Sequence, residues 1–164
     1  MHGRHTSSSR PLTPEETAQA RAVFGDAIRY EKIRIVTVAD TSLIARYILR
    51  GMPAVVLGNR ICFRMLADGS CLYKPDEHPS LFIHEMTHVY QYQCLHGWRY
   101  ALLALKEHRS GEDPYKLTLD AARQFKDYGI EAQAMLVQRY ATGAFYGADA
   151  VLAGRILREA GLCT

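Results

Sequence analysis

The sequence predicts an α+β fold in which a leading helix is followed by a small antiparallel sheet and then by packed helices. Apolar residues recur at three- and four-residue steps around Leu81–Leu95 and again through Val151–Leu157, the period of a helix with one buried face. Between residues 32 and 73, short β-branched and apolar runs are broken by Gly58-Asn59 and Asp68-Gly69, which mark turns between strands. Strands grouped ahead of helices give a sheet packed on helices in one domain.

The elements follow in order. Met1 to Arg10 is polar and rich in Ser and His, so residues 1–11 read as a flexible tail and 12–164 as one domain. Thr13-Pro14-Glu15-Glu16 opens a helix, with Thr13 as N-cap, Pro14 in the first turn and Glu16 closing a capping box; Gly25 stops it. Lys32 to Val38 reads as a strand, and Thr41 to Arg50 is ambiguous between helix and strand. Ala54–Leu57, Arg60–Leu66 and Ser70–Tyr73 are short strands. A helix starts after Ser80 as N-cap and runs uninterrupted from Leu81 to His96, stopped by Gly97. Further helices span Trp98–His108, Ile130–Tyr140 and about Asp149–Ala160.

The chain has 164 residues, 48% of them apolar and 23% charged, the balance of a soluble domain with a sizeable core. Its formal charge of +3 comes from scattered Lys and Arg, so nucleic-acid or membrane binding has no positive support. No apolar stretch is long enough for a membrane span, and the N-terminus lacks the apolar region of a Sec signal peptide, which places synthesis in the cytoplasm. Cys62, Cys71, Cys94 and Cys163 have no C-x-x-C spacing, which disfavours a cysteine zinc site. Cys62 and Cys71 flank a turn and could face each other across a hairpin; reduced thiols are the default.

The chemistry concentrates in His84-Glu85-Met86-Thr87-His88, an H-E-x-x-H pattern. Histidines four apart lie on one helix face and can reach one ion, while Glu85 can address a water bound to it. Burying two imidazoles and a carboxylate on one face is costly, and a cation offsets that cost. The bland alternative is a buried helix whose histidines are satisfied by hydrogen bonds. Catalytic zinc takes three protein ligands and leaves a fourth position for water. Downstream candidates are His96, Glu107, His108, Glu112, Asp113, Asp120, Asp127 and Glu131. His96 lies two turns beyond His88, roughly 12 Å by helix rise, and cannot close the same site. Glu131 is preferred, because it opens a helix of small and apolar residues suited to packing on the motif helix. A favourable charge at a helix N-terminus is its ordinary explanation.

Leu81 through Gln93, read with Tyr128-Gly129-Ile130-Glu131-Ala132-Gln133-Ala134, resembles a bacterial zincin family related to Vgr proteins of type VI secretion and contractile injection systems. The stretch from Leu12 to Ile28 is similar to that family's opening. The resemblance implies a zincin-like fold, a gluzincin-type zinc site of His84, His88 and Glu131, and Glu85 as catalytic base. The expected function is a zinc-dependent peptidase acting on a peptide or protein substrate, with export by a contractile injection system and contact with a secretion-system component as further implications. Two rivals stand beside it: a non-catalytic zinc-stabilised binding module, and a metal-free interaction domain. The donor for a tetrahedral oxyanion stays open among Tyr128, His78 and Arg139.

Overall fold

The computed structural model describes residues 8–39, 42, 49, 52–65, 70–73, 77–109, 111 and 113–163. Among these residues the strands are β1 (Ser8–Arg10), β2 (Arg34–Val38), β3 (Ala54–Leu57) and β4 (Arg60–Arg64). The helices are α1 (Pro14–Phe24), α2 (Pro79–Cys94), α3 (Gly97–Arg109), α4 (Ile130–Ala141) and α5 (Gly147–Glu159). The architecture is α+β, with a small mixed sheet on a layer of helices.

The sheet order is β1-β2-β4-β3. β1 and β3 run antiparallel to their neighbours, but β2 and β4 pair in parallel from Arg34 opposite Arg60 to Val38 opposite Arg64. The antiparallel sheet expected from the sequence is therefore corrected to a mixed one. β3 and β4 form a hairpin through Gly58, whose φ of +69° suits glycine. The longer connection between β2 and β3 lets the hairpin place its second strand beside β2, which sends β3 to the edge. Residues 8–10, read from sequence as part of a tail, form the edge strand β1. The strand expected over Ser70–Tyr73 is reduced to a bridge between Met65 and Cys71. The ambiguous stretch from Thr41 to Arg50 lies outside the described residues except for Ser42 and Leu49, as does the Asp68-Gly69 turn.

Alternation along the strands gives the sheet two apolar faces. Ile35, Ala54, Val56, Ile61 and Phe63 join the main core with Phe82, Ile83, Met86 and Val89 of α2. Val38, Leu49 and Cys62 form a small cluster of their own. Cys62 and Cys71 thus join different clusters, and all four cysteines are free thiols.

Helix α1 is capped as its sequence predicts. Glu16 N–H donates to Thr13 Oγ1 at 3.1 Å, and Thr13 N–H donates to Glu16 Oε2 at 2.8 Å. The buried Glu16 carboxylate also accepts two hydrogen bonds from Arg10, at 2.7 and 2.8 Å, and one from Tyr73 at 3.1 Å. One carboxylate therefore ties β1, α1 and the segment after the sheet together.

Helix α2 starts two residues earlier than expected, with His78 rather than Ser80 at the cap and Pro79 in the first turn, where its missing N–H costs nothing. Residues 82–89 are all buried, because α2 is enclosed by the sheet, α3 and α4. No helix of the described residues is long and apolar enough to cross a membrane.

Candidate metal centre

The i, i+4 spacing on α2 turns His84 and His88 to the same side, and α4 crosses there. The small side chains of Ala132 and Ala134 are buried in α4, which packs more extensively on α2 than on any other element. Glu131, in the first turn of α4, is carried onto the imidazoles. Its Oε2 lies 3.2 Å from His84 Nε2 and 3.3 Å from His88 Nε2, and the two Nε2 atoms are 3.2 Å apart. One ligand atom from each residue falls within 4.8 Å of the others.

The far sides of both rings are held by amides. His88 Nδ1 lies 2.8 Å from Gln91 Oε1, and His84 Nδ1 lies 2.9 Å from Gln138 Oε1. An amide oxygen only accepts, so each Nδ1 carries a proton and each Nε2 is the ring atom turned to Glu131 and available to a metal ion. Gln91 cannot turn over freely, because its Nε2 donates to Ile130 O and to Gln133 Oε1, both at 2.9 Å. Gln133 in turn donates to Tyr128 O at 2.8 Å. Glu107 of α3 supplies the cap that Gly129 cannot, accepting from Ile130 N–H at 2.9 Å.

Electrostatics follow from burial and these contacts. Burial works to raise the Glu131 pKa, but the hydrogen bonds and charges of His84 and His88 outweigh it and hold the carboxyl well below its usual range. Burial also opposes charge on His88, yet its hydrogen bond with Glu131 and the nearby carboxylates raise its pKa overall. Glu85 goes the other way: burial raises its pKa, and the pull of the two imidazoles does not cancel the effect. Two convergent imidazole nitrogens and a carboxylate are a donor set that suits a metal ion. His84, His88 and Glu131 can together bind a metal ion.

A cavity of about 250 Å³ opens beside these atoms, lined by His84, Glu85, His88 and Glu131, by Ala54–Val56 of β3, and by Tyr100 and Tyr115. The Tyr100 ring lies 6.2 Å from that of His88, and the Tyr115 ring 6.4 Å from that of His84. A larger apolar cavity of about 440 Å³ lies behind Gln91 and is lined by none of the four acidic and imidazole groups, so the chemistry belongs to the smaller one.

The other sequence candidates are employed elsewhere. His96 is exposed, with a left-handed backbone just beyond α2. Glu107 caps α4, Asp113 accepts from Tyr115 N–H, Asp120 from Ala122 N–H and Asp127 from Gln124 N–H. Glu112 and the His108 side chain lie outside the described residues. Of the proposed oxyanion donors, Tyr128 is buried core with its hydroxyl near Asp120, and Arg139 stacks over Phe145. His78 sits at the α2 N-terminus with a buried Nδ1. Sequence reasoning missed Gln91, Gln138, Tyr100 and Tyr115. Helical spacing offered a signal for two of them, since Gln91 is three residues past His88 and Gln138 seven past Glu131.

The fold and the site together define an α+β domain with a buried His-His-Glu cluster, a carboxylate beside it and an adjoining cavity. It is homologous to the effector domain of VgrG2b from Pseudomonas aeruginosa. The solved structure of that domain superposes with a TM-score of 0.64 at 28% identity, covering 94% of this chain and 84% of the other. The type VI secretion system spike protein VgrG2b of Pseudomonas aeruginosa is 32% identical over 147 residues, covering 85% of this chain. This chain spans only 14% of that spike protein's length. No family model matches the chain.

Proposed function

We propose that this domain is a zinc-dependent peptidase of gluzincin type, delivered as an effector by a type VI secretion system. The observation that carries the enzymatic reading is the convergence of His84 Nε2, His88 Nε2 and Glu131 Oε2 on one point, with Glu85 on the wall of the adjoining cavity. A non-catalytic binding site has no use for a carboxylate on the cavity wall beside its donors. The effector reading rests on homology to the VgrG2b effector domain, and it makes secretion-system components the partners during export.

His84, His88 and Glu131 would hold the ion, with Gln91 and Gln138 fixing the tautomer of each imidazole. Zinc bound there supplies Lewis acidity, acidifying a water and polarising a substrate carbonyl. Glu85 accepts the proton that water loses as the C–O bond forms. It then delivers that proton to the amine nitrogen as the C–N bond breaks. The hydroxyls of Tyr100 and Tyr115 are the donors available on the cavity wall for a developing oxyanion. β3 is the edge strand beside the cavity, and an extended peptide can add to it with backbone hydrogen bonds.

Replacing Glu85 with Gln tests the mechanism. The variant keeps one zinc per chain by elemental analysis and loses cleavage of a peptide library by about 10²-fold or more. A zinc-loaded Gln variant that still cleaves would sink the mechanism. Directing the wild-type chain to the periplasm of a Gram-negative bacterium tests the effector reading. Growth arrest that is absent with Glu85→Gln is expected, and equal growth of both strains would reject it.

A further inference from the structure

Helix α3 carries an apolar stripe on the face away from the metal centre. Tyr100, Ala104 and Glu107 lie on the side that meets α2 and α4, where Tyr100 and Ala104 line the cavity and Glu107 caps α4. Trp98, Leu102 and Leu105, at spacings of four and three, form the opposite side, and they are 70%, 60% and 48% exposed. Burial of large apolar residues is the default, so three in a row at helical spacing on one outer face mark a surface that is covered in use.

The charges around the stripe identify what covers it. Arg99 and Lys106 border one flank, and Arg109 continues the line of the stripe at the C-terminal end; all three are exposed. Among the described residues none of the three pairs with a carboxylate. Of the described acidic groups nearby in sequence, Glu107 accepts from Ile130 N–H and Asp113 accepts from Tyr115 N–H. A tryptophan and two leucines rimmed by cations is the pattern of a helix that lies in the plane of an anionic lipid surface. Its apolar face enters the acyl boundary, while Arg and Lys reach back to the phosphates. A second copy fits poorly, since a two-fold contact through the stripe would bring two sets of three cations together.

We infer that α3 docks this domain on anionic membranes through Trp98, Leu102 and Leu105, with Arg99, Lys106 and Arg109 contacting lipid phosphates. Ala101, exposed on the flank of the same helix, lines the cavity, so the docked face and the cavity wall belong to one helix. The inference is independent of catalysis.

Trp98 is the chain's single tryptophan and reports on the contact directly. Vesicles of phosphatidylcholine with phosphatidylglycerol, added to the full chain at low salt, should shift its emission to the blue and co-sediment the protein. Vesicles of phosphatidylcholine alone should do neither to a comparable degree. Leu102→Asp should weaken partitioning at least about tenfold. Arg99→Gln or Lys106→Gln should each weaken it about fivefold, and added salt should act in the same direction. These side chains are exposed, so the variants should keep the wild-type melting temperature. Unmoved emission without co-sedimentation on anionic vesicles overturns the inference, as does wild-type partitioning by a folded Leu102→Asp variant. A blue shift that needs no lipid and grows with protein concentration also overturns it, assigning the stripe to a second copy.

Discussion

Gln91 holds His88 from one helical turn further along α2, its Oε1 2.8 Å from His88 Nδ1. Because Gln91 Nε2 is committed to Ile130 O and Gln133 Oε1 on α4, the bond that fixes the imidazole also joins the two helices that bring the donors together. Gln91→Leu removes the acceptor and leaves a buried Nδ1–H without a partner. Zinc affinity, measured by competition with a chromophoric chelator, should fall about 10- to 100-fold. The loss at Gln138→Leu should be smaller, since Gln138 is less buried than Gln91.

Gly129 marks a second point of control. A Cβ added there would collide with the carboxylate of Glu107, the group that caps α4. Gly129→Ala should therefore push Glu107 off Ile130 N–H, at a cost of about 0.5–2 kcal/mol in unfolding free energy. Denaturant titration measures that loss, and zinc affinity should drop with it, because Glu131 sits in the turn that the cap anchors.

A substitution at Tyr115 would separate substrate chemistry from metal binding. Burial together with the carboxylates of Glu131 and Glu85 pushes its phenol up to about 12, so it stays a hydrogen-bond donor at neutral pH. Tyr115→Phe should leave zinc content unchanged and lower kcat about 10²-fold, with little change in KM, if the hydroxyl meets the developing oxyanion. An equal rise in KM with kcat intact would show a role confined to substrate binding.

Acid stability should depend on Glu16. Burial works to raise its pKa, but the hydrogen bonds from Arg10, Thr13 and Tyr73 and the charge of Arg10 hold it below the ordinary 4.5. The unfolded chain therefore binds more protons than the folded one over this interval, and stability rises with pH. The contribution is full above about pH 4.5 and is lost as pH falls through the lower folded value. Unfolding free energies of wild type and Glu16→Gln, compared across that window, should converge as the pH drops.

Much of the fold was legible where the determining contacts are local. Thr13 and Glu16 sit three residues apart and satisfy each other's backbone, so the start of α1 follows from four letters of sequence. His84 and His88 share a face of α2 for the same reason. Glu131 was reachable because a carboxylate opening a helix of small residues is suited to close packing, and α4 does pack closely on α2. The parallel pairing of β2 with β4 was not legible. It joins segments separated by a long connection, and period-2 alternation is the same in either orientation. Tyr128 and Tyr115 show the same limit. Both are tyrosines downstream of the motif, but one is buried in the core and the other lines the cavity, a difference set by the path of the chain between α3 and α4.

By itself the sequence determined the spacing of the donors, the carboxylate between them and the capping of the first helix, since hydrogen bonding and helical pitch act over three or four residues. Only the tertiary structure decided which side of each helix faces inward. α3 shows why: Leu102 and Leu105 stand opposite Tyr100 on an amphipathic helix, and pattern alone would bury the leucines. The packing against α2 and α4 instead takes Tyr100 and Ala104 inward and leaves Trp98, Leu102 and Leu105 on the surface.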